Sequence, residues 1–415
     1  MSVHDLMLDT LTLFPTATYL TDQETVVQNM HGFRLPGATE ASTRKLKDLL
    51  GLNHQNFDVF FDTFKHNHMA HQLLADYSMG ASPSRLQATY DYHTGMLVPR
   101  KPTLLPAGAL ASPTVFNRHI GQREYSTDYL LFFESEIKRL GFKETLRYYF
   151  LQRPLMLRGI GAVYHGLIHI GYAVEYNLPQ VLAEGLAISA VDHLDVDEHA
   201  DYTKIVTQTV EDNLANVSLS EVSDNHITAL DVFERVIADS DGSTNVIEKH
   251  CALWQVQPNK EDIKEKVHQM YVAATFVYGA TSRPNKPVKL DFFLQQAMML
   301  KYHLRYAVFN FVSVGRPAIH RDVLLNYPVP HKEGVENPWL PIIAAATENL
   351  DMHTAKVIRS LGRADLMWGD RRSDNAFLKA AQMTVDTVKP KSLEDHHWLM
   401  TGIGKDRSWN EDSKI

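Results

Sequence analysis

The chain holds one cysteine in 415 residues, Cys251. A single thiol can close no internal disulfide and build no thiolate-rich zinc or iron–sulfur site, so a reducing compartment is the expected setting. No apolar run reaches about 18 residues, the length a spanning helix requires. Met1 to Phe14 carry Asp5 and Asp9 where a secretory signal would have a basic start and an apolar stretch. Neither a membrane span nor a leader is expected. Long basic blocks are also missing, and 41 Lys and Arg against 49 Asp and Glu leave the chain mildly acidic. That balance argues against a nucleic-acid or anionic-membrane surface and leaves small neutral or aromatic substrates open. The dinucleotide fingerprint fails as well, because Gly159-Ile160-Gly161 is followed by Tyr164 where the third glycine belongs, and no strand precedes it. A built-in Rossmann domain is therefore disfavoured, and any reductant would come from NADPH or a partner reductase outside the chain. A ferritin-like di-iron centre needs two Glu-x-x-His motifs, and only Glu394 with His397 forms one. The sequon Asn216-Val217-Ser218 lacks a secretory context and is read as incidental. Ser413-Lys414-Ile415 approaches the peroxisomal S-K-L address but ends in Ile, so the expected location is cytoplasmic, with the peroxisome as the alternative.

What is present is apolar residue at helical spacing. At 44% apolar composition the chain can bury a sizeable core. Phe57 to Gly80 places Phe60, Phe61, Phe64, His68, His71 and Leu74 three and four apart and predicts one long helix. Ser82-Pro83 reads as an N-cap and first helical residue of the next, through Tyr90. Helices are further predicted over 126–140, 142–152, 155–176, 181–192, 229–238, 263–280, 292–314, 340–350 and 353–361. Residues 101–121, rich in proline, glycine and small residues, read as a long loop, and the acid and histidine run Asp192 to Asp201 reads as a solvated helix end. The expectation is an all-α protein: one large multi-helix domain over 1–388 with a histidine-rich metal site in its core, then a polar, peripheral tail over 389–415.

Histidines carry the chemistry. His165 and His169, four apart in the apolar run from Tyr164 to Tyr172, lie within about 40° of each other on one helical face. Such a pair can hold one ion. Alone it fits zinc, iron, haem or an ordinary core. His68 and His71 share a face three apart, with His66 turned nearly opposite to His68. His353 and Lys356 repeat the three-residue spacing. An ammonium there repels a metal, whereas a desolvated neutral lysine adds carbon dioxide to become an anionic carbamate ligand.

The order of these blocks resembles the questin oxidase-like family: Asn67-His68, Leu73-Leu74, Gly80-Ala81-Ser82, then Tyr164 to Tyr172, Asp291-Phe292-Phe293-Leu294, and Asp351-Met352-His353 with Lys356 and Leu361. The resemblance implies a helical oxidoreductase that uses dioxygen to open the ring of a small aromatic substrate, an anthraquinone or related polyketide, by Baeyer–Villiger oxidation or C–C cleavage. It implies non-haem Fe(II) held by His68, His165, His169, His353 and a carboxylated Lys356, with His165, His169 and Lys356 at the reacting centre and an electron-donor partner compatible with it. The chain departs from the family at one point. After Asp291-Phe292-Phe293 the family carries a methionine and a histidine, and here Gln295-Gln296 stands. The Gln296 amide oxygen or His303, two turns on, would substitute, or the metal is absent. In that last case the protein is a helical binding or scaffolding module for a hydrophobic metabolite or a protein partner. Oligomeric state has no signature in the sequence. Tyr164, Tyr172, Tyr302, Phe292 and Phe293 read as core or pocket aromatics, and Arg359 as a surface ion-pair residue.

Overall fold

In a computed structural model, the described residues are 35, 37–61, 65–151, 155–159, 161, 164–192, 227–243, 245–257, 259–297, 304–331, 333–369, 374–389 and 398–410. The sequence features at Phe64, 193–201, 216–218, Tyr302, His303, 394–397 and 413–415 lie outside them. The chain divides into two compact units, one from residues up to 219 and one from 220 onward.

The first unit comprises α1 (Glu40–Asn56), α2 (Met69–Ser78), α3 (Pro83–Thr94), α4 (Pro113–Arg118), α5 (Ser126–Leu140), α6 (Phe142–Thr145), a π-helical turn (Leu146–Leu151), α7 (Leu155–Gly159), α8 (His165–Tyr176) and α9 (Pro179–Val191). The starts follow local chemistry. Thr39 and Ser42 form a capping box at α1, and Ser82 caps α3 by accepting from the Arg85 amide, with Pro83 as first helical residue. Gly141 ends α5 at a φ of 83°. The helical hairpin of α8 and α9 is the centre of this unit: α9 also packs on α5 and α7, and α8 on α2. Its two backbones approach closely at glycines. A Cβ at Gly166 would fall 2.4 Å from Ser189 Oγ, and one at Gly185 would fall 2.9 Å from His169 Cβ.

Two predicted helices are shorter than the periodicity implied. The Phe57 to Gly80 pattern becomes helical only at Met69, with Phe57 and Phe60 in isolated bridges to Pro99 and His66. Asp58 and Asn67 take up the amides of Phe60 and Met69, offering the backbone an alternative to the helical ladder. His68 is therefore the residue before the helix, not one inside it. The 155–176 helix is broken before His165, where fully buried Tyr164 sits at φ 68°, ψ 13°, a left-handed conformation uncommon for a bulky side chain. The 101–121 loop contains a 3₁₀ turn (Ala109–Ala111) and α4.

The second unit comprises α10 (Ala229–Ala238), α11 (Asn245–Cys251), α12 (Lys260–Gly279), β1 (Leu290–Asp291), α13 (Phe292–Ala297), α14 (Leu304–Ser313), α15 (Arg321–Leu325), α16 (Trp339–Glu348), α17 (Thr354–Trp368), α18 (Ala376–Thr387) and β2 (Trp398–Leu399). The mostly helical character expected of the sequence is observed. Among the described residues the only sheet is the two-residue parallel pairing of β1 with β2, Leu290 opposite Trp398 and Asp291 opposite Leu399. This pairing corrects the reading of the tail as peripheral. Trp398, Leu399 and Ile403 are buried, and Asp291 Oδ2 accepts from the Ile403 amide at 2.9 Å. Apolar residues in a polar stretch pack whatever surrounds them.

Candidate functional site

Four buried imidazoles of the first unit face one another in two pairs. His68, just before α2, places Nε2 2.7 Å from Nε2 of His165 at the start of α8. His71, in the first turn of α2, places Nε2 2.7 Å from Nδ1 of His169, one turn along α8. The His71 ring also lies 5.8 Å from that of His68 and 6.1 Å from that of His165. A gap of 2.7 Å between two nitrogens holds one proton, so each pair has one donor and one acceptor. For His68 the choice is fixed: Nδ1 lies 2.6 Å from the His66 carbonyl and must donate, leaving the Nε2 lone pair toward His165.

Buried carboxylates frame these rings. His66 stacks on His165 at a centroid distance of 4.0 Å and donates from Nε2 to Asp192 Oδ2 at 2.6 Å. Burial lowers the His66 pKa. Asp192 also accepts from Arg123, and although burial opposes its charge, these partners hold its carboxyl below the usual range. On the other side His54 donates from Nδ1 to Glu184 at 2.8 Å and from Nε2 to Glu134 at 2.7 Å. A ring that donates from both nitrogens is a cation. Against the cost of burial, the two carboxylates raise the His54 pKa to about 9, and Glu184, likewise against burial, is lowered to about 2 by His169 and His54. Glu184 Oε2 lies 3.5 Å from His169 Nε2. Tyr172 stacks on His71 at 5.7 Å and packs as core.

In the second unit His353 is the residue before α17. Asp351 Oδ1 accepts from the amides of His353 and Thr354, which starts the helix, and Asp351 Oδ2 lies 3.8 Å from His353 Nδ1. The His353 ring meets Phe292 edge-on at 4.9 Å and Trp398 at 6.4 Å. Lys356, one turn on, is buried, and desolvation lowers its pKa to about 7. Much of it is thus neutral near neutrality, as carbamate formation requires. Arg359 is buried, correcting its assignment to a surface ion pair. Gln295 is fully buried, and neither its Oε1 nor its Nε2 has a hydrogen-bond partner. Oε1 of buried Gln296 and Nε1 of buried Trp398 are in the same condition. Burial raises the Asp291 pKa to about 6, against three amides that it accepts.

Of the five sequence-derived ligands, His68 and His165 touch, His169 joins them through His71, and in the second unit His353 precedes α17 while Lys356 lies in its first turn. Among the described residues no three His, Cys, Asp or Glu side chains converge on one metal-sized point. Imidazoles are ligands of Fe(II) as well as of zinc or copper, and to hold a cation the paired nitrogens, 2.7 Å apart here, would have to separate. His71 shares a helical face with His68 but is absent from the sequence-derived ligand set, His54 and Glu184 are absent from it too, and Asp192, expected at a solvated helix end, is buried because His66 and Arg123 pair with it. Glu184 had a signal, the sole charge in the apolar run Val181 to Val191. His54 had none.

Comparison with known proteins agrees with the block order. The profile of the questin oxidase-like family matches residues 65–298 and 294–361. Oxidoreductase AflY of Aspergillus parasiticus is 25% identical over 426 residues, covering 89% of this chain and 83% of that protein. Baeyer-Villiger oxidase AgnL3 of Paecilomyces divaricatus is 27% identical over 399 residues, covering 82% and 85%. Questin oxidase of Aspergillus terreus is 25% identical over 422 residues, covering 90% and 92%.

Proposed function

We propose, on the premise that the chain belongs to the questin oxidase-like family, that this oxidoreductase opens the ring of an anthraquinone or related aromatic polyketide with dioxygen, by Baeyer–Villiger insertion or C–C cleavage. The observation that supports a metal-dependent form of this chemistry is the meeting of His68 with His165 and of His71 with His169. Bound Fe(II) would supply activation of dioxygen. In this reading His68, His165 and His169 hold it, with His71 added. His353 and Lys356 enter on the family resemblance, and for Lys356 on the near-neutral pKa that suits a carbamate. Burial of the four rings excludes water.

The test is metal analysis of the purified protein together with oxygen uptake on a panel of hydroxyanthraquinones, with and without Fe(II) and NADPH. The expected result is stoichiometric iron that is lost in His165→Ala and His169→Ala, together with uptake. The same assay on His353→Ala and Lys356→Ala measures their share. A protein with no metal above background and no uptake would instead support the second reading, a helical binding module, which Gln296 in place of the family histidine favours.

A further inference from the structure

We propose that Glu184 is the positioning residue of His169: anchored by His54 and Glu134, its carboxylate keeps the His169 ring proton on Nε2 and turns the Nδ1 lone pair toward His71, into the histidine cluster. Only its consequence for metal binding rests on the reading above.

A lone carboxylate inside an apolar helix costs several kcal/mol unless it is paired. Glu184 is 4% exposed on α9, whose buried face is otherwise Val181, Leu182, Ala183, Leu186, Ala187 and Ile188. One oxygen is occupied: Oε1 accepts from His54 Nδ1 at 2.8 Å, and His54 donates its second proton to Glu134 Oε1 at 2.7 Å. The other, Oε2, makes no hydrogen bond among the described residues and stands 3.5 Å from His169 Nε2, where its charge still acts on the ring. Two carboxylates and one imidazolium leave one net negative charge against the His169 ring. Asp192 serves His66 differently, because Arg123 neutralises it.

The alternative for His169 is also present. Its Nδ1 lies 3.2 Å from the carbonyl of His165, one turn back, which would accept a proton from Nδ1. In that tautomer the lone pair would sit on Nε2 and face the carboxylate, which is repulsive. Glu184 therefore excludes the arrangement that the helix alone would allow. Register is set by the neighbouring residue: the missing side chain of Gly185 lets α9 approach until its notional Cβ is 2.9 Å from His169 Cβ.

The experiment uses the full chain, free of metal and labelled with 15N at histidine, and reads ring tautomers from long-range 1H–15N spectra near neutral pH. The wild type is expected to show His169 protonated at Nε2, Glu184→Gln to move the proton to Nδ1, and Glu184→Asp to restore the original pattern. Co(II) titration follows, with binding about 10–100-fold weaker in Glu184→Gln and partly recovered in Glu184→Asp. An unchanged His169 tautomer in Glu184→Gln overturns the proposal. If that variant does not fold, His54→Gln leaves the carboxylate without its anchor and is expected to give a mixture of tautomers, and an unaltered spectrum there overturns it equally. A tautomer switch in a protein whose wild type binds no Co(II) leaves the positioning role standing and removes the metal reading.

Discussion

A fully buried carboxamide without a hydrogen-bond partner among the described residues is costly. Gln295 leaves both amide atoms unsatisfied there, a loss of about 1–3 kcal/mol relative to an apolar side chain of similar shape. Gln295→Met is therefore expected to raise the denaturant midpoint in urea. A midpoint that stayed the same or fell would show that the amide is satisfied in the folded protein. His54 yields a pH signature. Its folded pKa of about 9 lies above the unfolded value near 6.5, so its contribution is complete below about pH 6.5 and lost as pH rises through 9. Glu184, depressed to about 2, contributes above about pH 4.5 and loses that contribution as pH falls toward 2. Urea midpoints between pH 6 and 10 should thus decline toward the alkaline end in the wild type and much less in His54→Gln.

At the scale of the element, helix identity was largely legible, and helix interruption was not. The periodicity of 126–140 matched α5 and that of 229–238 matched α10, because both have a strong apolar face, with Gly141 ending the first and a Thr228–Asp231 capping box starting the second. The 57–80 pattern misled because Asp58 and Asn67 bind backbone amides that a helix would need, and 155–176 because a left-handed Tyr164 can be imposed by packing on a residue with no such preference. The same limit applies to the site. His165 and His169 could be found because they lie one turn apart on one helix, whereas the Glu184 and His54 contact joins residues 130 apart in the chain. The α8 and α9 contact has its own test. Gly185→Ala would place a methyl 2.8–3.0 Å from Ile170 Cγ1, His169 Cβ and the Ile170 backbone nitrogen, and should cost about 1–3 kcal/mol by overpacking. Thermal unfolding reads that loss, and Gly171→Ala, with open space around its notional Cβ, serves as the control on the facing helix α8.

Across the whole molecule, the chemistry-bearing residues are distributed between two compact units, each with its own buried polar group: the histidine cluster in one, and His353, Lys356 and the Gln295 amide in the other. The second group depends on a segment far along the chain. Trp398 packs beside His353 and Tyr278, and truncating it to Ala should cost about 3–5 kcal/mol, read as lost amide protection at Leu290, Leu399 and Ile403. The parallel pairing of Leu290 and Asp291 with Trp398 and Leu399 also imposes an order in time. Residues 398–410 leave the ribosome after α10 to α18 have been synthesised, so a nascent chain can fold those helices and still present His353 without its indole neighbour. The surroundings of that histidine are completed only when Trp398 arrives, and a translation product arrested just short of it would be helical and unfinished there.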